Sequence, residues 1–409
     1  MNECRFCKNR LKYLFIDLGE TPLANSYVKK NNLKKNEHKS PLRVYVCEKC
    51  FLVQLKDFES PKSLFQNYSY FSSYSDSWLQ HAKKYVEMMI TLFSIDKTKL
   101  VIEIASNDGY LLQFFKKYKI PVLGIEPAKN IAVIAEKKGI DTISKFFGEK
   151  LANELFNENK SADLIIGNNV LAHVPDLNDF IKGLKILLKK DGIITLEFPH
   201  LLQLMKMNQF DTIYHEHYSY FSLTSLVRIF SSHDFDIFDV QELSTHGGSL
   251  RIFVQHSNNL ERKISTNIIK LLDKEKKFGL ENIETYKNFK INVEKIKSEL
   301  KQFVKKSIEK NQKIVCYGAA AKGNTLLNYC KIQKNQIDYV VDKNPYKQGL
   351  FLPGTHIPIE SPEKIFETKP DYILILPWNI KEEIMLQMEK IKSWGGKFVV
   401  PIPELKIYK

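Results

Sequence analysis

The stretch Leu100-Val101-Ile102-Glu103-Ile104-Ala105-Ser106-Asn107-Asp108-Gly109 decides the architecture. Its apolar, mostly β-branched first half is too short for a helix and reads as a buried strand. The small and turn-forming residues after it close the strand, and a helix begins near residue 110. Working outward, PVLGIEP (121–127), ADLIIGNNVLAHV (162–174) and GIITLEFP (192–199) repeat the strand pattern, with helical stretches between them. Strands alternating with helices indicate an α/β fold with a doubly wound parallel sheet, and ligands on such sheets lie beyond the carboxyl ends of the strands. Upstream, 77–93 reads as a helix; downstream, SLRIFVQHS (249–257) reads as a late strand.

From 258 to 311 the chain is charged, rich in Lys, Glu and Ile and free of Pro, which predicts a long connecting helix. A second alternation follows: 312–327 is a strand, a small-residue turn and a helix, with further strands at 337–345, 371–379 and 397–403. The expected organisation is a zinc-binding domain with connector (1–75), a central cofactor-binding domain (76–257), a helical linker (258–311) and a smaller Rossmann-like domain (312–409).

The amino-terminal segment contains two CxxC pairs, Cys4/Cys7 and Cys47/Cys50. Two such knuckles supply four thiolates to a tetrahedral Zn2+, and a closed four-sulfur site leaves no position for substrate, so the metal is structural. Cys316 and Cys330 have no such partners and read as core residues. No apolar run reaches the length of a membrane span and the amino terminus lacks a signal-peptide pattern, so the expectation is a cytoplasmic protein without a membrane partner. The formal charge of +14 arises mostly from lysines spread among many glutamates. It reads as a solvated surface, without a nucleic-acid partner.

Glu103, Ser106, Asn107, Asp108 and Gly109 occupy the first strand-to-helix turn, where small residues let a ligand approach the backbone. Glu126, ending the second strand just before Pro127, suits the hydroxyls of a ribose. GxGxxG is absent, which disfavours hydride chemistry. An acidic loop suits a cationic methionine tail better than a pyrophosphate, so S-adenosylmethionine is the expected cofactor. Asn168 and Asn169, at the end of the third strand, complete the expected cofactor set.

The ordered set CxxC…CxxC, YSYFSSYS, EIASNDGYLL, GIEPA, NNVLAHV, DTIYHEHYSYFS, HGGSLR and YGAAAKGNTLLN closely resembles the zinc-containing sugar C-methyltransferase family, over essentially the whole chain. That family methylates carbon in nucleotide-linked 4-keto-deoxyhexoses. The resemblance implies an enzyme that removes a proton beside a ketone and then passes a methyl group to the enolate. In TIYHEHYSY it implies His217 as base, with Glu216 orienting or polarising nearby groups and Tyr214 as hydroxyl donor. His173 in NNVLAHV would be a second donor, and Tyr68 or Tyr70 would reach in from the connector; the two tyrosines stay undecided.

A metal at His215 and His217 is the rival reading, but HExxH is absent and no helically spaced third ligand follows. His200 and His246 are weaker candidates, and HGGSLR reads as a substrate-side loop. In the carboxyl-terminal unit, Tyr317, Gly318, Ala319, Lys322 and Asn324 form a small-residue turn and helix start suited to the diphosphate of a nucleotide sugar. Asp342 would touch its ribose or base. Alternatives are a sugar O-methyltransferase and an NAD(P)-dependent nucleotide-sugar oxidoreductase. Oligomeric state is not legible, and a monomer suffices for this reading.

Overall fold

The computed structural model describes residues 3–56 and 71–409. The chain forms two compact units. The first comprises Met1–Leu11, Cys47–His200 and Tyr218–Glu281; the second comprises Lys12–Val46, Leu201–His217 and Asn282–Lys409.

The first unit is built on a seven-stranded sheet. Its strand order is Phe235–Leu243, Ser249–His256, Leu188–Pro199, Ala162–Asn168, Val101–Ile104, Val122–Ile125 and Thr142–Ile143. The last five strands in that order are mutually parallel, and Ser249–His256 pairs antiparallel on both sides. The central strand Val101–Ile104 is buried along its whole length, as its unbroken apolar pattern requires. Helix Asp76–Phe93 begins at Ser75, whose side chain caps the Trp78 amide. It lays Trp78, Ala82, Tyr85, Val86 and Met89 into a core shared with Val101, Leu164, Ile166, Ile193 and Phe253. Each Val, Leu, Ile, Phe or Met among them contributes roughly 1.5–3 kcal/mol of transfer free energy.

The stretch expected to form one connecting helix is two helices, Thr266–Phe278 and Ile283–Glu309. Gly279 stops the first in a left-handed conformation (φ 97°), donating its amide to the Glu275 carbonyl. The first helix also has a task in its own unit. The buried Glu275 carboxylate accepts from the amides of Leu223 and Thr224 and from His200 Nε2 at 2.7 Å, capping helix Leu223–Ser231.

The second unit carries a six-stranded sheet ordered Ile359–Glu360, Val340–Val341, Ile314–Tyr317, Tyr372–Ile375, Lys397–Val400 and Lys406–Tyr408. It is parallel except for the last strand. Strands Tyr13–Thr21 and Ser40–Val46 form an antiparallel pair. Helix Ile283–Glu309 covers it with a stripe of Tyr286, Phe289, Val293, Ile296 and Leu300, and Phe15 stacks on Phe289 at 4.8 Å. The helix is therefore amphipathic and packed rather than a solvated spacer.

Candidate active site

The four sulfurs of Cys4, Cys7, Cys47 and Cys50 lie within 4.8 Å of one another, and the contacts Cys4–Cys50, Cys7–Cys47 and Cys7–Cys50 are 3.6, 3.6 and 3.7 Å. A tetrahedron of thiolates at the usual zinc–sulfur distance has edges of about 3.8 Å, so the cluster fits Zn2+ with every corner filled. Each CxxC is followed by a left-handed residue, Lys8 (φ 58°) and Phe51 (φ 60°), which closes the knuckle. Arg5, between the first two cysteines, ties the knuckle to the rest of its unit by donating to the carbonyls of Leu55 and Pro175.

At the carboxyl end of strand Val101–Ile104 the chain turns through three left-handed residues, Ala105, Asn107 and Gly109. Glu103, Ser106, Asn107 and Asp108 are all buried there. Gly109 is favoured by its φ of 76°, which other residues rarely adopt, and a Cβ there would also displace the tip of Ile140. Among the described residues, both carboxylate oxygens of Glu103, Ser106 Oγ, Asp108 Oδ1 and Asn168 Oδ1 are buried with no hydrogen-bond partner. Buried polar atoms are normally satisfied, so five orphans gathered toward the carboxyl ends of the neighbouring strands Val101–Ile104 and Ala162–Asn168 mark a place shaped for a polar ligand. Burial raises the Glu103 carboxyl well above the usual carboxylate range, and the nearby Tyr110 hydroxyl offsets only part of that.

Glu126 closes the turn from the second strand. Its Oε2 accepts from the Asn107 amide at 3.0 Å and its Oε1 from the Ala128 amide, two residues on across Pro127, at 2.8 Å. Asn169, at φ 53°, donates its amide to the Glu197 carbonyl, and its side chain lies 3.4 Å from His246 Nε2. His173 sits in the 3-10 turn Leu171–His173 after strand Ala162–Asn168, half-buried.

In the second unit, the segment Thr212-Ile213-Tyr214-His215-Glu216-His217 folds back on itself. His217 Nδ1 is 2.9 Å from the Thr212 carbonyl, and its Nε2 is 2.8 Å from the Tyr214 hydroxyl. A carbonyl only accepts, so Nδ1 bears the hydrogen and, in the neutral ring, Nε2 offers its lone pair to the Tyr214 hydroxyl. His215 turns elsewhere, with Nε2 at 3.1 Å from the Ser40 carbonyl. The two histidines therefore do not converge, and among the described residues the four-cysteine cluster accounts for metal-ligand geometry. Glu216 accepts from Asn25 Nδ2 at 2.8 Å; burial pushes its carboxyl up to about 7, with the Asn25 bond holding it back in part. Tyr68 and Tyr70 lie outside the described residues.

The small-residue turn of the second unit is occupied by its own chain. The Ala319 amide donates to Asp342 Oδ2 at 2.8 Å, while Asp342 Oδ1 accepts from the Asn344 amide. This repeats the Glu126 arrangement of the first unit: one oxygen holds the amide of the turn after the first strand, the other the amide two residues on. Tyr317 donates to Gln387, Lys322 to Asn379 Oδ1 at 2.6 Å, and Asn324 to the Ala24 carbonyl. A Cβ on Gly318 (φ 90°) would meet Pro377 at 2.5 Å.

Comparison with known proteins decides the identity. The C-methyltransferase NovU of Streptomyces niveus is 34% identical over 407 residues, covering 100% of this chain and 97% of the relative. The chain belongs to the C-methyltransferase family. Family models match in series: "Putative zinc binding domain" at 4–65, "Methyltransferase domain" at 78–240 and "C-methyltransferase C-terminal domain" at 244–403. Among solved structures, magnesium protoporphyrin IX methyltransferase from Synechocystis PCC 6803 with bound SAM is 15% identical, covering 44% of this chain and 79% of its own, with a TM-score of 0.34. The PH0226 protein of Pyrococcus horikoshii OT3 is 14% identical, covering 49% and 99%, with a TM-score of 0.38. Likenesses this distant add nothing to the identification.

This C-methyltransferase is an S-adenosylmethionine-dependent enzyme with a four-cysteine zinc site, and no helix among its described residues is long and apolar enough to cross a membrane. The strand ends of the first unit also hold groups that motif reading did not assign to a cofactor. Trp78 stacks on Tyr110 and His81, with His246 at 5.1 Å. His81 and Arg251 both bind Glu197 Oε2, at 2.9 and 2.5 Å, and Thr245 donates to Oε1. Burial alone would raise the Glu197 carboxyl, but His81 and Arg251 bring it below its ordinary value. These residues come from four separate segments; HGGSLR marks His246 and Arg251 in the sequence, whereas only the polarity of Glu197 inside an apolar strand signals that residue.

Proposed function

We propose that this C-methyltransferase acts on a nucleotide-linked 4-keto-deoxyhexose, methylating the carbon beside the ketone. The supporting observation is the Thr212 carbonyl–His217–Tyr214 chain, with Glu216 beside it in sequence and poised near neutrality. A hydrogen next to a ketone is removed only by a positioned base, and such a base works best with a proton affinity near the working pH. The Thr212 carbonyl fixes the tautomer that leaves Nε2 free of hydrogen, and it favours the imidazolium once a proton arrives.

The substrate's hydrogen leaves to the Tyr214–His217 pair, directly to Nε2 or through the phenol oxygen as its own hydrogen passes to Nε2. Both routes end with a neutral tyrosine beside an imidazolium. The carbon–hydrogen electrons move into the ketone as an enolate, which hydrogen-bond donors stabilise. His173 and the protonated form of Glu216 are the donors assigned to that role, and Tyr68 or Tyr70 would add a hydroxyl.

Glu103, Ser106, Asn107, Asp108, Gly109, Glu126, Pro127, Asn168 and Asn169 would hold S-adenosylmethionine at the first unit's strand ends. When bound, it supplies an electrophilic methyl group on a sulfonium. Tyr317, Gly318, Ala319, Lys322, Asn324 and Asp342 are assigned to the nucleotide side of the substrate. Ala319, Asn324 and Asp342 spend polar groups inside the protein, so any contact they make uses their remaining lone pairs and hydrogens.

The test is methyl transfer from 13C-methyl-labelled cofactor to dTDP- or GDP-linked 4-keto-deoxysugars. The reading expects label in a carbon-bound methyl. Label in a methoxy group would make the enzyme an O-methyltransferase, and absence of cofactor binding in calorimetry would end the reading.

A further inference from the structure

The motif Tyr317-Gly318-Ala319-Ala320-Ala321-Lys322-Gly323-Asn324-Thr325 has the composition of a phosphate cradle, yet two of its polar side chains, Asn324 and Thr325, are spent on backbone carbonyls that adjoin the acid–base residues of the same unit. Thr325 Oγ1 donates to the Ile213 carbonyl at 3.1 Å, with both residues buried. Ile213 directly follows Thr212, whose carbonyl fixes the His217 ring. The neighbouring Asn324 donates to the Ala24 carbonyl at 3.0 Å, and Asn25, next along, donates to Glu216. A third tie comes from Trp378, whose Nε1 donates to Asp211 Oδ2 at 2.7 Å, while Lys322 lies 4.6 Å over the Trp378 ring. The small residues serve packing: a Cβ on Gly323 would meet Leu376 at 2.7 Å, so helix Ala321–Tyr329 sits flush against the end of its sheet.

We propose that the turn-helix carrying Asn324 and Thr325 is a positioning device for the acid–base segment, with Thr325 setting His217 through the Ile213 peptide and Asn324 setting Glu216 through Asn25. The proposal rests on the reading of His217 and Glu216 as the proton-handling pair. Two adjacent residues on one helix thereby fix two segments far apart in sequence, each one residue away from a group that touches an ionisable side chain. Thr325 and Asn324 are positioning residues and not catalytic ones. A displacement of about 1 Å in such a site costs on the order of a hundredfold in rate, whereas a merely structural tie leaves the imidazole where it is.

The experiment uses the full chain, 15N-labelled at histidine, in three forms: unaltered, T325V and T325S. Imidazole 15N shifts report the His217 tautomer without any substrate, and the H217N spectrum assigns the signal. The expected result is a single Nδ1-protonated tautomer in the unaltered protein, a tautomer mixture in T325V, and recovery of the original signal in T325S. Activity should follow, with kcat in T325V reduced about tenfold or more and KM for the cofactor unchanged. Identical His217 signals and kcat within about twofold in a folded T325V would overturn the proposal. If T325V does not melt cooperatively, T325A decides the matter by the same His217 spectrum and kcat comparison, with both unaltered counting against it. An unaltered protein that shows the expected tautomer yet methylates no keto sugar would overturn the functional reading while leaving the positioning role standing on its NMR signature.

Discussion

His217 is held by two short contacts of opposite sense, and this has consequences that single substitutions expose. H217N keeps a hydrogen-bonding side chain but no basic nitrogen, and should lower methyl transfer by about 10²- to 10⁴-fold, the usual contribution of a general base. Deuterium uptake at the substrate's acidic carbon, followed by NMR, should fall in parallel. Y214F retains the imidazole and should cost less than H217N. Glu216 makes a separate prediction through stability. Its carboxyl is raised from 4.5 to about 7 in the fold, so the folded state binds more protons than the unfolded chain between those values. Its burial therefore becomes more costly as pH rises through that window, by about 3 kcal/mol in full. E216Q should accordingly gain stability over the unaltered enzyme in urea melts at pH 8, with the difference shrinking toward pH 5.

Among elements, the turns after the first parallel strand of each sheet do opposite things. The Glu103–Gly109 turn leaves buried polar atoms unsatisfied, whereas the Tyr317–Lys322 turn spends its polar groups inside the protein. G318A should then destabilise the second unit by about 1–3 kcal/mol, through the Pro377 contact and the strained φ, with cofactor affinity unchanged in calorimetry. Much of the fold is legible because the central strands are continuous apolar runs, too short for helices and separated by helical periods. The break at Gly279 was hidden by uniform Lys- and Glu-rich composition on both sides, where one glycine is a weak signal until its left-handed cap is seen. In the candidate site, Glu103, Asn107 and Glu126 are legible because they lie at or just after the carboxyl ends of strands. Trp78, His81 and Glu197 are not, since only tertiary pairing of separate segments brings them together with one another and with Arg251 of HGGSLR. The same limit hid the pairing of Asn324 with Ala24 and of Thr325 with Ile213.

For the whole molecule, the zinc cluster joins the chain's first residues to Cys47 and Cys50, and Arg5 fastens that knuckle to the Leu55 and Pro175 carbonyls. Removing the metal should therefore do more than loosen a terminus. C47S should bind less than one Zn2+ per chain by mass spectrometry under native conditions and lower the melting temperature, because binding free energy of a structural zinc site is folding free energy. The acid-to-amide tie found at Glu126 and again at Asp342 shows two sheets closing their first turns by one device, with buried polar atoms left unpartnered in one and an internally filled turn in the other. On the proposed function, a methyl group reaches carbon after His217 and Tyr214 withdraw the neighbouring proton, and NMR of the product made from 13C-methyl-labelled S-adenosylmethionine and a nucleotide-linked 4-keto-deoxysugar distinguishes the outcomes. A labelled methyl coupled to a ring carbon is expected, absent with H217N; a labelled methoxy group, or undiminished carbon methylation by H217N, would overturn that function.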